Sequence, residues 1–225
     1  MVSMILAAAF WVALHFVVAG PLRPGVAARL GEQTFRGVFS LLSAAGLAWL
    51  ILAYRVAPYV PLWQAVPGAA YIAMPLMFVA FLLLAFGIGA GNPTLAGADM
   101  LLKDQLPVRG ITRITRHPAL WAFALWALAH LLANGDLAGV LLFGAILVTA
   151  LNGMVSIDRK RHRALGQGWE AFAAQTSRLP FAAILAGRNT LHVEELPPWR
   201  AAVGTALFAL ALWLHGVIGA SPIPS

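Results

Sequence analysis

The chain contains no cysteine, which excludes disulfides, thiolate metal ligation and cysteine catalysis. Any bound metal must be held by histidine, carboxylate or a weaker ligand. Charge is scarce as well: Asp, Glu, Lys and Arg make up 10% of 225 residues, and only 8 of them are acidic. Soluble domains carry about 25% charged residues, so this chain has too little polar surface to cover a water-facing fold. The first twenty residues form an apolar run with no basic residue ahead of it; the nearest positive side chain, Arg23, lies downstream. That order argues for a retained helix over a cleaved signal. No solenoid-period repeat or low-complexity tract interrupts the chain, and a single domain over 1–225 is expected.

What is present is apolar. Hydrophobic residues account for 61% of the chain and the mean hydropathy is +0.83. A bilayer core takes about 20 apolar residues per helix, and six segments approach that length: 2–20, 36–55, 67–90, 117–133, 137–157 and 199–219. The expected fold is an all-α polytopic membrane helix bundle. Arg23, Arg29 and Arg36 follow the first segment, Arg55 alone the second, and Lys103, Arg109, Arg113 and Arg116 the third. None follows the fourth, while Arg159, Lys160, Arg161, Arg163, Arg178, Arg188 and Arg200 follow the fifth. With six spans every odd loop is basic, which places those loops in the cytoplasm and both termini in the periplasm of a bacterial inner membrane. The net charge of +7 is then topological, and it also attracts anionic headgroups. A nucleic-acid partner would need a folded soluble face that this sequence lacks. The expected partners are the lipid bilayer and a hydrophobic small molecule, with a homo-oligomer left open.

Pro21, Pro24, Pro58, Pro61, Pro67, Pro93, Pro107, Pro180, Pro197 and Pro198 fall at segment edges, where they end helices without orphaning donors in lipid. Pro75 alone sits inside a span and predicts a kink in the third helix. Residues 158–176 place Leu165, Trp169, Phe172 and Ala173 at helical spacing among basic residues. This reads as an amphipathic helix on the cytoplasmic leaflet, or as a cover over the mouth of a site.

Ionisable residues inside spans are costly and mark function by default. Three histidines qualify, His15, His130 and His215; a lone imidazole often only bonds a neighbouring helix, but three together favour a site. Phe123, Trp126, Ala127 and His130 share one face of the fourth helix. An imidazole beside two aromatics and a small gap suits a flat macrocycle such as haem; the same stripe also suits plain packing. Upstream, Gly110 to Trp121 forms a basic, proline-bounded entrance in which Arg113, Arg116 and His117 are placed to bind an anion or cap the helix that starts at Pro118. Helical geometry separates His117 from His130 by about 220° and roughly 20 Å, so they cannot share one iron. By depth alone, His215 matches His130 better than His15 does. The turn Asn134-Gly135-Asp136 reads as a tight connection without chemistry. Asn152 and Asp158 are expected to hydrogen-bond the entrance arginines.

His15, Arg23, the run Gly31-Glu32-Gln33-Thr34-Phe35-Arg36, Leu62-Trp63, the run from Gly110 to Pro118, Leu125-Trp126-Ala127-Leu128-Ala129-His130, Asp158-Arg159 and Thr176 to Phe181 together resemble the NnrU family. That group takes in plant and algal zeta-carotene isomerases, which are haem b proteins converting a central cis double bond of a carotenoid to trans without net redox change. The resemblance implies haem b, with His15 and His130 matching the family's ligand histidines. It also matches Ala127 to an isomerase cysteine that this chain lacks. Bacterial members are associated with nitric oxide metabolism and denitrification, so the resemblance implies either a polyene isomerase or a haem-dependent factor in that metabolism. A non-catalytic assembly factor for a reductase is a further expectation. Arg116-His117-Pro118 with Leu165 to Phe172 also resembles the isoprenylcysteine and phospholipid methyltransferases. That likeness implies S-adenosylmethionine at the cytoplasmic face, although Asp158 and Arg159 stand where that family has a glutamate pair.

Overall fold

The computed structural model describes residues 1–64, 68–88, 92–94 and 108–217. Pro67, Lys103, Pro107 and the outer ends of the expected segments 67–90 and 199–219 lie outside the described residues. Helix α1 (Val2–Ala13) runs without proline or glycine and widens into a π-helical turn, Leu14–Val18, before Gly20 and Pro21 end it. The chain then bends by 78° into α2 (Arg23–Leu30). Gly31, at φ +82, a conformation open to glycine, turns it back into α3 (Glu32–Arg55). After α4 (Ala69–Gly87) come the short α5 (Ile111–Ile114), α6 (Pro118–Ala133) and the long α7 (Leu137–Leu165). Next are α8 (Gln167–Gln175), α9 (Ala182–Leu185), a 3-10 turn at Val193–Glu195 and α10 (Pro198–Val217).

The chain is all-helical among its described residues apart from one isolated bridge, Pro61 to Asp136. By length and composition α3, α4, α7 and α10 can cross a membrane, and α1 with α2 adds a fifth span if the bent pair counts as one. By this length measure the expected six are not all found, because α6, at 16 residues, falls short of the roughly 20 a span needs, although it runs from the Arg116–Asp158 pair to the turn at Gly135, at opposite ends of α7. A second expectation is corrected at 158–176. Residues 158–165 complete α7, Gly166 at φ +51 breaks the helix, and α8 packs back on the bundle with Trp169 and Phe172 buried to 3% and 1% exposure. Its apolar face meets protein instead of a leaflet.

Helix direction alternates. Lys160 Nζ donates to the Ala19 carbonyl at 2.7 Å, and Arg200 Nη1 donates to the carbonyls of Ala85, Phe86 and Ile88. The ends of α1, α4 and α7 and the starts of α6 and α10 therefore share one basic end. At the opposite end, Leu62 N–H donates to Gly135 O at 2.7 Å, and the Asp136 carboxylate caps α7 by accepting from Gly139 N–H at 3.0 Å. Neighbours pack in the order α10, α4, α6, α7, α1, α3, with α3 also touching α7.

The principal core joins Met4, Ala7 and Ala8 to Leu50, Ala53, Ala127, Leu142 and Phe143. Small residues let apolar helices approach closely, since lipid supplies no hydrophobic drive between them. Gly87 is one such contact: a Cβ there would lie 3.0 Å from Pro118 Cγ and 3.2 Å from Ala119 N. Gly87→Ala is expected to pry α4 from α6 at a cost of about 1–3 kcal/mol, read as a lower midpoint of thermal unfolding in detergent.

Candidate functional site in the apolar slot

Side chains on a helix lean toward the preceding turn, and each intramembrane histidine meets the carbonyl four residues back. His130 Nδ1 lies 2.8 Å from Trp126 O, His215 Nδ1 2.7 Å from Ala211 O, and His15 Nδ1 2.9 Å from Trp11 O. A carbonyl only accepts, which assigns the proton to Nδ1 and leaves the lone pair on Nε2. This is how a ligand histidine is held: one nitrogen anchored to the backbone, the other presented.

His130 lies against Trp126 and Phe143, each at a ring-centroid separation of 4.7 Å, and His215 is 6.0 Å away at a tilt of 38°. The two imidazoles border adjoining cavities of about 310 and 490 Å³. Tyr54, Met74 and Asn134 line the first, Leu47, Ala122 and Ile146 the second, and Met77, Phe81 and Phe143 line both. Phe123 and Trp126 wall the larger cavity. Ala127, placed on the same face by sequence, is fully buried in the core with α1, α3 and α7 and lines neither cavity. Its methyl fills helix packing where a gap for a macrocycle was expected.

His15 sits elsewhere, against Trp11 and Phe39 within the π-helical turn of α1. Trp11 Nε1 donates to Thr149 Oγ1 at 3.2 Å, whereas His130 stacks on Phe143. Those two α7 positions differ in depth by about 9 Å, and His15 lies on the basic side of Trp11, so His15 and His130 occupy different levels. The structure brings together His130 and His215, and it does not bring His15 to them. Among the described residues no three His, Asp or Glu groups converge to hold a bare ion.

The entrance residues divide into two ion-pair clusters. Asp158 accepts from Arg116 Nε at 3.1 Å and Nη2 at 2.6 Å, from His117 Nε2 at 2.7 Å, and pairs with Arg178 Nε at 3.3 Å. Arg116 also donates to Thr176 O, and its guanidinium lies 6.0 Å from the Trp169 ring. His117 and Arg116 are buried, at 1% and 8% exposure. Of the entrance arginines expected to bond Asp158 or Asn152, Arg116 does bond Asp158, whereas Arg113 does not. Arg116 and His117 are both paired with Asp158, and His117, although it stands before Pro118, makes no side-chain cap to α6.

Arg113 belongs to the other cluster, donating to Glu195 through Nε at 2.8 Å and Nη2 at 2.9 Å. That paired guanidinium, helped by the Gly110 N–H, holds the Glu195 carboxyl down at about 2, against an ordinary 4.5. A lowered carboxyl pKa contributes stability that is complete above 4.5 and lost as the pH falls toward 2. The unfolding midpoint of the wild type is expected to drop through that window, and Glu195→Gln to flatten the drop. Sequence reading missed Glu195, which is 82 residues from Arg113, as well as Met77, Phe81 and Phe143 as lining; Trp169 stands over Arg116, in keeping with the cover that was the alternative reading of 158–176.

The sequence profile described as NnrU protein matches residues 3–222. Two curated relatives, both named chloroplastic 15-cis-zeta-carotene isomerase, come from Arabidopsis thaliana and Zea mays. The first is 32% identical over 167 residues, covering 72% of this chain and 45% of that protein. The second is 31% identical over 166 residues, with the same coverage of 72% and 45%. The chain spans a little under half the length of these relatives. No solved structure matches. A match over nearly the whole chain, with relatives 31–32% identical over 72% of it, makes this chain a member of the NnrU family.

Proposed function

We propose that the chain is a membrane-embedded cis–trans isomerase of a hydrophobic polyene, with haem b held in the slot between α4, α6, α7 and α10. The observation that carries this reading is the facing pair His130 and His215, each with Nδ1 tied to its own helix and Nε2 left free within apolar walls. The two ring centroids are 6.0 Å apart, and their Nε2 atoms would hold the iron of a haem bound there. The name of the relatives supports the reaction class. His215 is the proposed partner of His130 on this geometry, in place of His15.

When bound, the haem supplies an iron centre that lowers the barrier to rotation about the central double bond of the polyene. The chain's own residues do the rest. Trp126 and Phe143 fix the plane of the His130 ring, Phe81 and Met77 supply a dry wall, and Asn134 and Tyr54 confine polarity to one end. The basic end is proposed to face the cytoplasm of a bacterial inner membrane, with both termini on the other side. The test is chromatographic: the purified protein, reduced and supplied with a 15-cis polyene in micelles, should convert it to the trans form, and His130→Ala should not. Unchanged substrate with haem-loaded wild type would refute the assignment.

A further inference from the structure

Helix α7 is longer than a bilayer core is thick. Residues 137–157 carry no charge and extend about 31 Å at 1.5 Å per residue, matching the hydrocarbon core of about 30 Å. The run Asp158-Arg159-Lys160-Arg161-His162-Arg163 continues the helix beyond that length, so it lies in the headgroup layer at the basic end. There α7 stops at Gly166 and α8 folds back, which opens a cleft of about 420 Å³ lined by Asp158, Arg159, His162, Arg163 and Trp169. The cleft is apart from the apolar slot, since Asp158 is roughly 22 Å along α7 from Phe143.

Charge in this cleft is unbalanced. Its acids are already taken: Asp158 by Arg116, His117 and Arg178, and Glu170 on the rim by His162 at 2.8 Å. Arg159 and Arg163 are exposed, and neither has a carboxylate or acceptor partner among the described residues. They stand four residues apart on α7, a spacing at which like charges repel. Lys160 adds to the excess, because the charges around it are Arg23 and Arg163 against Glu32, and Glu32 is itself shared by Arg23 and Arg36. The first turn of α8 borders the same cleft without a side-chain cap, leaving the N–H groups of Gln167 and Gly168 without an acceptor in their own helix.

An anion seated between Arg159 and Arg163 turns their repulsion into two charge-assisted contacts, and the helix N-terminus favours the same sign. Trp169, 3% exposed and set between Arg116 and Phe172, gives the cleft an aromatic wall; indoles are enriched at headgroup level. Below the cleft the surface is apolar. Val148 and Leu151, 45% and 42% exposed, stand eleven residues before Arg159 and His162, three turns down the same face of α7.

We propose that the cleft between α7 and α8 binds the phosphate of an anionic phospholipid headgroup through Arg159 and Arg163, with the acyl chains lying along Val148 and Leu151. The level of the cleft and the apolar flank beneath it select a lipid over a soluble phosphate. This site is separate from the isomerase reading and does not depend on it.

Native mass spectrometry of the full chain, released from neutral micelles that contain phosphatidylglycerol or phosphatidylcholine, tests the proposal. The wild type is expected to retain one phosphatidylglycerol in preference to phosphatidylcholine. The double variant Arg159→Gln, Arg163→Gln is expected to weaken that retention about tenfold. Its unfolding midpoint in phosphatidylcholine should match the wild type, because neither arginine is paired with an acid, and this separates lost binding from lost folding. The control double variant Arg29→Gln, Arg109→Gln removes two exposed arginines that do not line the cleft and is expected to bind as the wild type does. Millimolar sn-glycerol 3-phosphate should not displace the lipid. No preference for phosphatidylglycerol, equal weakening by both double variants, or displacement by the soluble phosphate would overturn the proposal.

Discussion

His130→Ala is expected to purify as a folded membrane protein that has lost its haem absorbance. His130 is the residue common to both pairings under consideration: it lies 6.0 Å from His215, and the family resemblance couples it with His15. The companion variants separate the two. His215→Ala is expected to abolish the spectrum of a six-coordinate, two-histidine iron, whereas His15→Ala, altering a ring packed on Trp11 and Phe39 at another depth, should leave it intact. Absorption spectra of the three variants, measured at equal protein concentration, decide this. Loss of the two-histidine spectrum in His15→Ala, with His215→Ala unaffected, would restore the pairing implied by resemblance. Burying an imidazole without a job in the bilayer is unfavourable, so a ligand role also accounts for His215 near the end of an otherwise apolar helix.

Asp158→Asn is expected to be the most destabilising single change at the basic end. The carboxylate accepts from Arg116 and His117 and pairs with Arg178, and the Arg116 and His117 side chains are 10% and 0% exposed. Removing one charge from a buried pair leaves its partners uncompensated, at about 3–5 kcal/mol. For a chain of this size that corresponds to a fall in unfolding midpoint on the order of 10 °C. Arg178→Gln removes only a partner that is 49% exposed, and is expected to cost no more than about 1 kcal/mol. Thermal unfolding in detergent measures both. Because Asp158 lies roughly 22 Å along α7 from Phe143, Asp158→Asn is expected to keep its haem below the lowered midpoint. Haem loss at low temperature would show that the basic cluster helps to shape the slot.

Much of the architecture follows from patterns that sequence displays directly. The apolar segments and the alternation of basic loops are one-dimensional signals, and the helices do alternate in direction, with Arg116, Lys160, Arg178 and Arg200 at one end and Arg55 at the other. The tight turn at Asn134 to Asp136 was legible as a helix–helix connection, but the contact of His130 with Phe143 was not, since they stand five residues before and eight after Gly135 and meet only through the packing of α6 on α7. The demand of Arg116 and His117 for a counter-charge likewise pointed to Asp158, the nearby acid on α7. Other features depend on distances that spacing does not encode. Glu195 finds Arg113 across 82 residues. The break at Gly166 turns an apparent amphipathic helix into the end of α7 plus a separate α8, whose Trp169 and Phe172 find protein to pack on. Ala127 shares the His130 face by helical angle, yet the packing of α1 and α7 buries it on the far side of the slot's wall. The proximity of His215 to His130 needed both a depth argument and the placement of α10 beside α4.

The most direct measurement is the pyridine haemochrome of the wild-type chain purified from a haem-sufficient host. A slot presenting two free Nε2 atoms should yield a b-type spectrum at about one haem per chain, with the visible bands of a two-histidine iron. A folded, monodisperse protein that purifies free of haem, and takes up none when haem is added, would contradict the central claim.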